Sequence, residues 1–113
     1  MARRVLLTIN GVERKKDNVL LDNVLKVVAR SYNLSVNDLR SKKRQKDIAN
    51  VRQVAFYLMK KLTYNSLQSI GSVIGGRDHS TVIHAVQKIE AMLAADKYLE
   101  AKIKQLEHDI ISS

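Results

Sequence analysis

Residues 66–89, SLQSIGSVIGGRDHSTVIHAVQKI, decide the fold. Leu67, Ile70, Val73 and Ile74 recur at helical spacing, and Val82, Val86, Ile89 and Leu93 do so again after a break. The break is Gly75-Gly76. Glycine enters the left-handed region without a Cβ clash, so the pair suits the end of the first helix. Asp78 then stands where an N-cap carboxylate accepts from the unpaired N–H groups of the next helix. Two short helices about a glycine turn form a helix-turn-helix pattern. The second helix opens on Asp78, His79, Ser80 and Thr81, all able to hydrogen-bond base edges or phosphates, which is where a recognition helix presents such groups.

The rest of the chain reads as helices that complete a core around this motif. Its 113 residues suffice for one small domain. Proline and tryptophan are absent and phenylalanine occurs once, so the expectation is an all-α fold of about six helices around one aliphatic core. Asp22 is expected to cap a helix through about Ser31, with Leu21, Val24, Leu25, Val27 and Val28 facing inward. Ser35 and Asp38 form a capping-box pattern that starts a short helix ending near Arg40. Ser41–Asp47 contains no apolar residue and reads as an exposed basic loop. Ile48, Val51, Ala55, Leu58 and Leu62 mark a helix over 48–62. Ser66 caps the first helix of the motif, and Asp96 caps a last one to about Ile111, with Leu99, Ile103, Leu106 and Ile110 inward. Residues 1–20 read as a charged linker from another domain and 21–113 as the helical domain. Val5, Leu6, Leu7 and Ile9 are compatible with part of a further helix, which Asn10-Gly11 interrupts.

The charge is concentrated. Of the net +9, the stretch from Arg40 to Lys61 carries +7: eight Lys or Arg against Asp47 alone. A patch of this kind points to a polyanionic partner. Lys60 and Lys61 also suit the negative end of a helix dipole. With no cysteine there is neither a disulfide nor a thiolate metal site. The three histidines lack ligand spacing, since His79 and His84 are five apart rather than four. No phosphate-binding loop of the G-x-x-x-x-G-K-[ST] type occurs, and no nucleophile with a base beside it, so binding rather than catalysis is expected. The sequence has no run long enough to span a membrane and no signal peptide, and the expected location is the cytoplasm, on the nucleoid.

His79 alone fits a cap-region or core histidine as well as a base contact, and Thr81 fits a cap. The adjoining Ser80 and glycine turn favour DNA contact for both. Arg44 in the basic loop suits a narrow minor groove, where the negative potential is strongest. Arg52, Gln53 and Lys60 are placed to hold phosphates and fix register.

Gly75-Gly76-Arg77-Asp78-His79-Ser80-Thr81-Val82-Ile83-His84-Ala85, with Lys88-Ile89, resembles the C-terminal DNA-binding signature of the DnaA family of bacterial chromosomal replication initiators. The likeness extends to Leu21-Asp22-Asn23-Val24, Ser41-Lys42-Lys43-Arg44, Val51-Arg52-Gln53-Val54-Ala55 and Ser66-Leu67, covering roughly 20–111. It implies recognition of short asymmetric boxes in double-stranded origin DNA. On that resemblance Arg44 enters the minor groove, and Asp78, His79, Ser80 and Thr81 read the major groove. Lys42, Lys43, Arg52, Gln53, Lys60, Ser66, Leu67, Gln68, Arg77 and Lys88 form the phosphate or groove-facing set. The departures are Val51 and Gln68 for frequent prolines, Asn50 for a frequent arginine, and Val86-Gln87 for a cysteine–arginine pair. The resemblance leaves open which contacts these positions make. The resemblance also implies that ATP binds a domain outside this chain, leaving no cofactor here, and that the basic N-terminus makes at most a weak acidic phospholipid contact. A monomer on an asymmetric site is expected. The competing expectations are a dimeric repressor on a palindrome and a helical module whose basic face meets an acidic protein.

Overall fold

The computed structural model describes residues 19–42 and 44–112. Among them the chain forms six helices and no strand: α1 (Leu21–Ser31), α2 (Val36–Arg40), α3 (Lys46–Leu62), α4 (Leu67–Val73), α5 (His79–Leu93) and α6 (Lys97–Ser112). The all-α expectation holds. The possible helix around Val5–Ile9 lies outside the described residues.

α3 is the central element and packs against all five others. Val51, Val54, Ala55, Phe56, Leu58, Met59 and Leu62 are all buried, so most of its circumference faces protein. Its longest seam is with α5, whose Val82, Ala85 and Ile89 complete a period-3.6 stripe. Ile70 from α4 and Ile74 just past its end, Val24, Leu25 and Val28 from α1, and Ile103, Leu106 and Ile110 from α6 close the same core. Branched aliphatic side chains fill it with little aromatic volume.

The helix ends show how local chemistry sets the path of the chain. Ser35 and Asp38 form the expected capping box: Ser35 Oγ accepts from the Asp38 N–H at 3.0 Å, and Asp38 Oδ2 accepts from the Ser35 N–H at 3.1 Å. Ser66 Oγ accepts from the Ser69 N–H at 3.1 Å. Asp96 Oδ1 accepts from the N–H groups of Tyr98 and Leu99, both at 3.0 Å. Asp96→Ala should therefore cost about 1 kcal/mol, as lost N-caps typically do. A urea melt should show a lower midpoint with an unchanged slope.

Two ends differ from expectation. α1 starts at Leu21 with Leu20 as N-cap and no side-chain cap, so Asp22 lies inside the first turn. There its carboxylate faces Arg40 at 3.4 Å, tying α1 to the end of α2. At its other end α1 closes in a Schellman turn: Leu34 N–H donates to Ala29 O and Asn33 N–H to Arg30 O. Asn33 sits at φ 59°, the left-handed position usually given to glycine and tolerated by asparagine. The basic loop is also shorter than expected, because α3 begins at Lys46 rather than Ile48.

Candidate nucleic-acid interface

The turn between α4 and α5 builds the site. α4 ends at Val73, and Gly75 and Gly76 follow at φ +70° and +66°. These angles reverse the chain so that the Arg77 N–H returns to Gly71 O at 2.8 Å. Gly71 is the reason this closure fits. A Cβ there would lie 2.2 Å from the carbonyl oxygen of Arg77. A methyl at Gly75 would meet Arg40 O at 2.6 Å, so the same turn is packed on the end of α2.

Asp78 follows as the N-cap of α5, with its backbone carbonyl accepting from Thr81 N–H at 3.0 Å. The expectation of a capping carboxylate is corrected in one respect: the side chain makes no cap hydrogen bond. It accepts instead from Ser80 Oγ at 2.8 Å and lies 3.2 Å from His79 Nδ1. The Ser80 hydrogen bond is the main reason the Asp78 carboxyl is held below the usual aspartate range, with His79 adding to it. An ionised carboxylate accepts only, so Asp78 suits a base amino group. The side chains of Asp78 and His79 are 66% and 59% exposed, open to a partner at the tip of α5. Ser80 is half-buried and turned toward Asp78.

Beside this tip lies a cleft of about 300 Å³ between α3, the turn and α5. Arg52, Gln53, Arg77, Thr81, His84 and Lys88 line it over a floor of Ala49, Phe56 and Ala85. Thr81, His84, Ala85 and Lys88 share one face of α5 at i, i+3, i+4 and i+7. The structure thus gathers five residues of the sequence-derived set and adds His84, which sequence reasoning left out. Its spacing from Thr81 and Lys88 is the signal that finds it.

Not every expected contact residue faces outward. Arg52 is 6% exposed. Its Nε donates to Leu39 O at 2.7 Å, and its Nη2 donates to Asp38 O at 3.2 Å and Ser41 O at 2.6 Å. Burial, and secondarily Arg77, lower its pKa from the usual arginine range, which leaves the guanidinium charged at neutral pH. Most of its fork is engaged by the carbonyls that end α2, although the residue also lines the cleft. Leu67 is half-buried against the core, and Ser66 is occupied as a cap. Lys42, Arg44, Lys60, Gln68 and Lys88 are exposed. Lys60 lies two turns beyond Gln53 on the same face of α3, a rise of about 10 Å. Lys43 lies outside the described residues. Among the described residues no group of His, Asp or Glu could hold a metal ion. No helix among them is long and apolar enough to cross a membrane.

A short helix, a glycine turn and a second helix with an exposed polar N-terminus, set beside a cationic cleft, define a helix-turn-helix domain. A family model described as bacterial DnaA protein helix-turn-helix matches residues 21–89, and the chain belongs to that family. The chromosomal replication initiator protein DnaA of Bradyrhizobium sp. (strain BTAi1 / ATCC BAA-1182) is 45% identical over 92 residues, covering 81% of this chain and 19% of that protein. The protein of the same description from Oenococcus oeni is 43% identical over 105 residues, covering 93% and 23%. The chain thus spans about a fifth of the length of these relatives. A solved structure described as a DNA replication initiation factor superposes with a TM-score of 0.73 at 27% identity, covering 98% of this chain and 36% of that one.

Proposed function

We propose that this chain binds duplex DNA sequence-specifically as the origin-recognition part of a replication initiator. The observation that carries the reading is the exposed Asp78–His79 tip of α5 beside a cleft lined by Gln53, Thr81, His84 and Lys88. A helix N-terminus of this kind fits the major groove, which is wide enough to admit a helix and offers a distinct donor–acceptor pattern for each base pair. Arg44, in the loop before α3, is assigned to the adjacent minor groove. Gln53, Lys60 and Lys88 are assigned to phosphates that set register. The chain acts as a monomer on an asymmetric site and as a binding module rather than an enzyme. Nucleotide control, on this reading, belongs to the part of the longer relatives that this chain does not span.

Selection from a randomised duplex library tests this. An asymmetric motif should be enriched, and the selected duplex should bind more tightly than a scrambled one of equal length. His79→Ala should narrow that gap by about 1–3 kcal/mol, the worth of a well-placed base contact. Lys60→Ala should weaken both duplexes about equally and reduce the salt slope by about one counterion. Equal affinity of the parent chain for selected and scrambled duplexes would sink the reading, and enrichment of a palindrome bound by two copies would replace it with a repressor.

A further inference from the structure

The carbonyl end of α2 is gripped from two directions. Arg52, from α3, donates to Asp38 O, Leu39 O and Ser41 O. Arg77, from the turn before α5, reaches the same Ser41 O through Nη2 at 2.9 Å. The Nε of Arg77 is buried without an acceptor, so its hold on the loop rests on that one donated bond. Gly75 adds a third contact, its Cα face lying against Arg40 O. α2 is only five residues long, and the carbonyls at its end have no further helical turn to accept from. The Ser41 carbonyl is also the last one before Lys42 and the loop that carries Arg44.

We propose that Arg77 is a positioning residue: through the Ser41 carbonyl it locks Ser41-Lys42, the root of the loop that carries Arg44, to the start of α5, so that the two move as one unit. Two arginines sharing one acceptor repel each other, an arrangement more costly than one arginine with a neutral partner. Their meeting at the root of the loop, rather than along a helix face, is what the lock accounts for. The inference rests on the DNA-binding reading for its purpose, since a fixed spacing between the loop and α5 sets which major-groove and minor-groove positions are read together.

The parent chain contains no cysteine, so spin labels can be placed at Lys42→Cys and Gln87→Cys in the full chain without further change. Both positions are exposed. Without DNA, the parent should give one narrow distance distribution, and Arg77→Met should broaden it at a temperature where its circular dichroism matches the parent. An unchanged width would overturn the lock. Backbone relaxation of the unmodified chain supplies a check that needs no variant. The Ser41 and Lys42 amides should show order parameters near the rigid value of about 0.85, and values below about 0.6 would overturn the lock as well. With the library-selected duplex, Arg77→Met should lose about tenfold in discrimination, the equivalent of one base contact. Lys88→Met, which removes the same charge from the same cleft without touching Ser41, should weaken selected and scrambled duplexes alike. If Lys88→Met loses as much discrimination as Arg77→Met, the effect is one of charge and the lock is wrong. A parent that does not discriminate at all removes the DNA reading, while label distances and order parameters still decide the lock.

Discussion

Gly71→Ala should lower the melting temperature by roughly 5–15 °C, the equivalent of a net loss of about 1–3 kcal/mol in a domain of this size. Alanine is the better helix former by about 0.8–1.0 kcal/mol, so propensity alone predicts the opposite sign. Geometry decides against it. The added Cβ would lie 2.2 Å from Arg77 O, a backbone atom, with Val82 Cγ2 at 3.4 Å behind it. Relief requires moving the turn away from α4, which breaks the bond from Arg77 N–H to Gly71 O. Overpacking costs about 1–3 kcal/mol, and the lost hydrogen bond adds about 0.5–1.5 kcal/mol. Gly76→Ala is the control. It has open space around its Cβ and suffers only the left-handed backbone, about 1–2 kcal/mol. Thermal melts of both variants check the order, and a Gly71→Ala protein more stable than Gly76→Ala would refute it.

Gly71 also shows why part of the structure was hidden in the sequence. The helical stripes of α3, α5 and α6 were legible because burial imposes a 3.6 period on the apolar residues that face the core. Ser35, Ser66 and Asp96 were legible because their cap chemistry is local, within three residues. Gly75 and Gly76 stand between two stripes and announce a turn. Gly71 stands inside a stripe, and its necessity arises from a carbonyl six residues on. Asn33 does the work of a glycine without being one. Asp22 reads as a cap because caps and first-turn carboxylates look alike in sequence, while its partner Arg40 lies 18 residues away.

The charge map was legible in total and misleading in detail. The concentration of +7 over residues 40–61 is real as composition. In the fold, Arg40 faces Asp22, Arg52 is buried, and Lys61 pairs with Glu107 at 2.7 Å while lying near the Tyr57 ring. A cation in a basic run reads the same in sequence whether it meets solvent, a carboxylate or the carbonyls of a helix end. What the fold adds is His84, which stands with Lys88 on another helix, opposite Gln53. The electropositive surface is therefore assembled from two separated segments.

Arg52 is where these two readings of a cation part most sharply. As a surface phosphate ligand, its loss would reduce DNA affinity and leave the fold intact. As the residue that caps the end of α2, its loss would first be felt in stability. Arg52→Met keeps much of the aliphatic stem and removes every donor. Leu39 O then loses its 2.7 Å bond inside the core, and Ser41 O retains the donor of Arg77. Asp38 O keeps Ser41 N–H at 3.3 Å and Ser41 Oγ at 2.8 Å. All three carbonyls thus lose a charged donor. Bonds to a charged donor are worth about 1.5–3 kcal/mol each. Against them stands the relief of desolvating a guanidinium, which apolar replacements of buried charges regularly recover. The balance should be a loss of about 2–3 kcal/mol, or roughly 10 °C in melting temperature. Lys60→Met, at an exposed position on the same helix, should stay within about 0.5 kcal/mol of the parent, as surface substitutions usually do. Denaturant melts without DNA separate the cases: a parent-like midpoint for Arg52→Met would return Arg52 to the surface set, and a shifted midpoint makes it part of the scaffold that holds the loop.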